Sequence, residues 1–213
     1  YENVNNSLYY LKEIKKKDTK NKKKAMAFAL TAIQASEWAM SIAPLEFLIS
    51  KDPENVGYLT QLGNAYNKLN NTTKSEEVFS RLIKLEPDNK DHYFYFGKAL
   101  MEAGKYSQAR TQFLKASDVG NGWALPIFYE GFLYEQSAGG CTDFDRKVVY
   151  LLAQNTYRRA LSMDSNLGEA RDRINALSGA VPTKEDYFFR GIKSGQSMPI
   201  TCVGWIGKSV TAP

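Results

Sequence analysis

The chain has 213 residues, is 43% hydrophobic and 24% charged, and carries a net charge of +5 with one histidine and two cysteines. That is length enough for one sizeable or two small domains, and the composition is that of a globular protein. The charge excess is local, because Lys15 to Lys24 (KKKDTKNKKK) holds seven lysines against one aspartate; with no arginine or interleaved aromatic it reads as a solvated loop or frayed helix end, and nucleic acid is not an expected partner.

The chain opens on Tyr1 rather than Met, which implies a processed or trimmed product. Ser7 to Lys16 is expected as a helix with Leu8, Leu11 and Ile14 inward. This helix and the lysine-rich loop make an N-terminal segment, 1–21. Lys22 to Ser36 (KKKAMAFALTAIQAS) imitates a signal sequence, but it is internal and its apolar run is too short to span a bilayer. It reads as a buried Ala-rich helix. One long helix from about Lys22 to Ile42 is expected, then a short one that Pro44 opens, since Pro is tolerated where its missing N–H is not needed. No other stretch is long and apolar enough to cross a membrane as a helix.

From Tyr58 the chain repeats itself. Gly63 aligns with Gly97, Ser75 with Ala109, Phe79 with Phe113 and Leu82 with Ala116, each pair 34 residues apart. A glycine lets two helices approach closely, an aromatic one turn after a small residue fills the space between them, and Pro87 ends the unit. These residues resemble the tetratricopeptide repeat (TPR), a pair of antiparallel helices that stacks on its neighbours because one pair cannot bury its own apolar face. Leu114 to Gly140 resembles the Sel1-like variant of that repeat. Gly131 takes the small slot of its first helix. Ala153, Tyr157 and Ala160 take the slots of its second, Arg146 to Ser165. Gly131 and Ala153 are 22 apart where the earlier pairs are 12 apart, so an insertion is expected near 137–145. A short helix, Leu167 to Leu177, closes the repeat array, which spans 22–181.

The tail, 182–213, has a different composition. Asp186 to Ile192 (DYFFRGI) and Pro199 to Thr211 (PITCVGWIGKSVT) read as strands joined by turn residues. In the second strand, Val203 and Trp205 face one way and Cys202 and Ile206 the other. An isolated hairpin is only marginally stable, so the tail is expected to pack on the last helices with Trp205 and Ile206 as anchors. Cys141, in the insertion, and Cys202, in the tail, are read either as a disulfide or as two unpaired thiols. Pro182 to Asp186, Phe188, Phe189, Gly191, Gly195 and Gly204 to Ile206 resemble a family of TPR proteins from Bacteroidota. Lys208 and the Ala212-Pro213 ending depart from that pattern. The resemblance implies a scaffold in the periplasm or cell envelope.

Chemistry-bearing motifs are sparse. His92 lies beside Asp91, but adjacent helical residues point to different faces, so the pair is no dyad and His92 is expected at the surface. Gly207 to Ser209 (GKS) lacks the upstream glycine of a phosphate loop. No catalytic residue, metal site or cofactor is expected. The fold class read from the chain is all-α, a TPR/Sel1-like helical-hairpin solenoid with a β-like tail. Its function is read as a non-catalytic scaffold that binds a protein or peptide partner in a concave groove lined by first helices. The groove residues are Asn64, Lys68, Phe94, Tyr95, Lys98, Phe128, Tyr129 and Phe132, with the five aromatics expected to be more exposed than Phe79 and Phe113. Thr60, Tyr95, Leu125 and Tyr129 stand where a clamp for chaperone carboxylate tails has polar and basic residues, so that mode is not expected. The alternatives are a self-assembling envelope subunit, forming a homo-oligomer, or a glycan- or small-molecule-binding protein that uses the aromatic groove.

Overall fold

Helix-breaking residues punctuate the chain at short, regular intervals, and helices form between them. The computed structural model describes residues 22–213. The predicted helix at Ser7 to Lys16 and most of the lysine run lie outside the described residues, while Lys22, Lys23 and Lys24 are exposed on the first described helix. Ten α-helices and one small two-stranded sheet follow among the described residues, grouped in two compact units divided at Ala103/Gly104.

The first unit holds α1 (Lys22–Gln34), α2 (Trp38–Lys51), α3 (Val56–Lys68), α4 (Thr72–Leu85) and α5 (Lys90–Glu102). Successive helices pack against each other. Asparagines set the boundaries. Asn55, Asn71 and Asn89 cap the N-termini of α3, α4 and α5, their side chains accepting from Tyr58 N, Lys74 N and Asp91 N. A cap of this kind satisfies one of the orphan N–H groups of the first turn. Asn70 ends α3 in the left-handed region at φ 55°. Asn71 N then bonds Tyr66 O and Asn70 N bonds Asn67 O, the pair of bonds that closes a helix C-terminus.

The same device corrects the expected long first helix. Ser36 turns left-handed at φ 59°, with Glu37 N on Ala32 O and Ser36 N on Ile33 O, so α1 ends at Gln34. Pro44 lies buried inside α2 rather than at its start. It removes only its own bond to Met40, and packing of the helix supports the remainder.

Repeat geometry explains the sequence periodicity. Ser75, Val78, Phe79 and Leu82 form the buried stripe of α4, the spacing of a helix with one apolar face. Phe79 closes over Gly63, where an added Cβ would stand 3.2 Å from its ring, and Ser75 Oγ donates to Gly63 O at 3.4 Å. A larger residue at either small position would separate α3 from α4.

The second unit holds α6 (Tyr106–Val119), α7 (Ala124–Ser137), a 3-10 turn (Ala138–Gly140), α8 (Asp143–Met163), α9 (Gly168–Ala176) and α10 (Lys184–Phe189). Gly131 on α7 faces Ala153 and Tyr157 on α8, and an added Cβ would meet the Tyr157 ring at 2.8 Å and Ala153 O at 3.3 Å. The inserted residues therefore do not form a long loop. They become the end of α7, the 3-10 turn and the extra length of the 21-residue α8. Gly131→Ala is expected to destabilise the protein by about 1–3 kcal/mol through overpacking, read as a lower denaturant midpoint. Gly63→Ala, facing a more distant ring, is expected to cost less.

The tail departs from the expected pair of strands. Its first half is the helix α10, closed by a reciprocal cap in which Asp186 N donates to Thr183 Oγ1 and Thr183 N donates to Asp186 Oδ2. Only β1 (Ser197–Pro199) and β2 (Ser209–Thr211) are strands, paired antiparallel with Met198 opposite Val210. Residues 200–208 form the connection, so the alternation expected for Cys202 to Ile206 is absent. The tail nonetheless packs on the helices. Met198, Ile200, Ile206 and Val210 join the core made by α7 and α8.

Candidate functional site

Helical spacing alone places Gln61, Asn64 and Lys68 on one stripe of α3, and Tyr95, Lys98 and Glu102 on one stripe of α5. In the first unit these stripes, with Asn67, Ile33 and Trp38, line one cleft of about 200 Å³. Its lining offers three side-chain amides, each able to donate and accept a hydrogen bond. Two lysines and Glu102 supply charge of both signs. Tyr95 and Trp38 supply flat apolar surface, and Tyr95 is 40% exposed.

Four of the eight residues predicted to line a groove thus meet in one cleft: Asn64, Lys68, Tyr95 and Lys98. Phe94 does not join them. It is 6% exposed and meets the Tyr95 ring edge-on at 5.6 Å. Consecutive helical residues diverge by about 100°, so only one of Phe94 and Tyr95 faces the cleft.

In the second unit the three aromatics predicted for the groove serve packing. Phe128 is buried against Tyr157, with ring centroids 5.3 Å apart. Tyr129 is half-buried and stacks on Phe113 at 5.3 Å. Phe132, also half-buried, lies under the Arg173 guanidinium at 5.3 Å. Phe94 and Phe128 are thus only slightly more exposed than Phe79 and Phe113, which are fully buried, and neither offers an open face to a groove.

His92 is likewise not at the surface. It is 4% exposed, and its Nε2 lies 2.8 Å from Glu86 Oε2. The side chains of Asn89 and His92 hold the Glu86 carboxyl below its usual range. His92 thus ties the start of α5 to the preceding turn.

A charged cluster that the sequence does not announce lies under the tail. Glu130 on α7 is fully buried. It accepts from the Tyr134 hydroxyl at 2.6 Å, from Lys208 Nζ at 2.9 Å and from Arg159. Burial pushes its carboxyl up, but the Tyr134 hydroxyl, the Lys208 ammonium and Arg159 outweigh that and hold it below the usual range. Burial and the neighbouring Glu130 charge push the Tyr134 hydroxyl well up. Trp205 stacks on Tyr134 at 5.6 Å, and Arg110 donates to Ile206 O at 2.9 Å. Glu135, five residues on, repeats the pattern, accepting from Tyr157 at 2.6 Å and Arg173 at 3.0 Å. Through Lys208, Trp205 and Ile206 the Glu130 cluster fastens the tail to α6, α7 and α8.

Cys141 and Cys202 form a disulfide with Cα atoms 5.4 Å apart, joining the turn after α7 to the tail. Such bonds form and persist in oxidising compartments. Among the described residues no group of His, Cys, Asp and Glu is arranged to hold a metal ion, and no helix is long and apolar enough to cross a membrane.

The fold defines a helical-hairpin repeat protein. The tetratricopeptide repeat family matches residues 56–89, the hairpin of α3 and α4. No curated protein matches the chain. Among solved structures, the MamA protein is similar over 80% of this chain and 83% of its own, at 16% identity and a TM-score of 0.58. TTC0263, a thermophilic TPR protein of Thermus thermophilus, is similar over 79% and 87%, at 15% identity and 0.55. YrrB, described as a TPR protein with an unusual peptide-binding site, is similar over 85% and 84%, at 13% identity and 0.52. At these identities the likeness concerns the fold, which is that of TPR proteins.

Proposed function

We propose that the protein is a non-catalytic scaffold that holds an extended segment of a protein partner in the cleft between α3 and α5. The observation that carries this reading is the lining itself. Gln61 and Asn64 on the α3 stripe, with Asn67, bring three amides to one cleft, which suits the donors and acceptors of a peptide backbone. Tyr95 and Trp38 suit an apolar side chain, and Lys68 and Lys98 favour an acidic one. The description of YrrB as a TPR protein with a peptide-binding site is consistent with this use of the fold. The disulfide fits the oxidising periplasm or cell envelope as the place of action.

Substitution of Tyr95 and Tyr129 separates this reading from its alternatives. Tyr95→Ala is expected to weaken a peptide selected on the intact protein at least about tenfold, as loss of a central aromatic anchor does. Tyr129→Ala is expected to leave that affinity unchanged, because Tyr129 packs on Phe113. If Tyr95→Ala instead dissolves a homo-oligomer, the self-assembling subunit is the better reading. If it abolishes glycan binding with no peptide effect, the cleft is a sugar site.

A further inference from the structure

An exposed aromatic pair stands apart from the cleft. Phe188 and Phe189 are 80% and 82% exposed, the largest exposures among the large apolar residues of the described chain. Their helix is not loosely held. Asp186 accepts from Lys147 at 2.8 Å, Tyr187 is buried beside Phe144 at 6.3 Å, and Arg190 lies over the Phe144 ring at 4.3 Å. Gly191, left-handed at φ 65°, closes the helix as Gly191 N bonds Phe188 O and Ile192 N bonds Tyr187 O. Both ends of α10 are thus fixed, and the residues between Tyr187 and Arg190 are held in water.

We propose that Phe188 and Phe189 are a membrane-surface anchor, inserting into the interface of an anionic bilayer. Two phenylalanines present about 400 Å² of apolar area, half of the roughly 800 Å² per partner that a stable protein interface buries. A second copy of the chain is therefore poorly served by this pair. An interfacial anchor needs only a few aromatic side chains flanked by basic ones. The flanks lean basic: Asp186 is neutralised by Lys147, and exposed Lys184, Arg190, Lys193 and Arg146 stand against exposed Glu185 and the Asp143 and Asp145 that flank Phe144. Basic residues beside an inserted aromatic are drawn to anionic headgroups.

The test is vesicle flotation of the intact protein. Vesicles of phosphatidylethanolamine and phosphatidylglycerol are expected to carry it upward, and phosphatidylcholine vesicles to carry less. The double variant Phe188→Ser/Phe189→Ser is expected to bind at least about tenfold more weakly, given the apolar area removed. Its melting temperature should match that of the parent, because neither side chain is buried. Failure of the parent to float, or equal flotation of the variant, overturns the proposal. So does a concentration-dependent dimer, seen by sedimentation, that the double substitution abolishes while vesicles have no effect.

Discussion

Truncation after Val181 is expected to lower the melting temperature by about 10 °C or more and to expose apolar surface that binds a hydrophobic dye. The tail buries Met198, Ile200, Ile206 and Val210 in the core of the second unit. Each such side chain contributes about 1.5–3 kcal/mol by transfer from water, part of which is offset by ordering the segment. The disulfide spans a sequence separation of 61 residues. Closing a loop of that size adds roughly 4 kcal/mol in the chain-entropy model. One kcal/mol moves the midpoint of a chain of this size by about 2–4 °C, so either contribution alone is visible. Cys202→Ser tests the covalent part separately and is expected to give a smaller fall than truncation. Unchanged melting in both variants would mean that the tail is an appendage rather than part of the second unit's core.

Glu130→Ala is expected to destabilise the protein by about 1–3 kcal/mol, the cost of leaving a buried polar group unsatisfied, since Lys208 and Arg159 are partly exposed and can turn to water. It leaves the buried Tyr134 hydroxyl without an acceptor and leaves Lys208 and Arg159 without their shared carboxylate. Lys208→Met is expected to cost less, since Arg159 and Tyr134 still serve Glu130. The network also predicts a pH dependence. Because the folded-state pKa of Glu130 lies below its unfolded value, its contribution is present above the usual carboxylate range and is lost as pH falls through the folded value. The melting difference between the parent and Glu130→Gln should therefore be widest near neutral pH and shrink as pH drops below about 4. A constant difference across that range would show that Glu130 acts by shape alone.

Some of this architecture is legible in the sequence because it is written in local spacing. Gly63 with Ser75 and Phe79, and Gly131 with Ala153 and Tyr157, announce helix pairs through small and aromatic residues at fixed offsets. The stripe on α3 and the stripe on α5 follow from the same periodicity, which is why Asn64, Lys68, Tyr95 and Lys98 are found together. What periodicity does not decide is which of two neighbouring aromatics turns inward. Phe94 and Tyr95, or Phe128 and Tyr129, are chemically alike, and tertiary packing makes the choice, as Tyr157 of α8 does for Phe128. His92 is misread for a related reason: its partner Glu86 lies before α5, outside the helical spacing from which the surface position was read.

The tail shows a different failure. Its aromatic and β-branched composition suggests strands, yet Thr183 and Asp186 form a cap three residues apart that starts a helix. That signal is readable, since a hydroxyl followed at this spacing by a carboxylate is a helix-start pattern. The Glu130 cluster had no such signal. Its partners Arg159 and Lys208 lie 29 and 78 residues away, and only folding brings them together.

The central claim is that the cleft of the first unit receives a partner protein. Replacing Tyr95 with the photo-crosslinking residue p-benzoylphenylalanine, in the protein expressed in its native cells, tests this most directly. Irradiation followed by mass mapping is predicted to give an adduct between position 95 and an extended segment of a different protein, with none from the same probe placed at Tyr129. No adduct at position 95, or one formed only with a second copy of this chain, would contradict the claim.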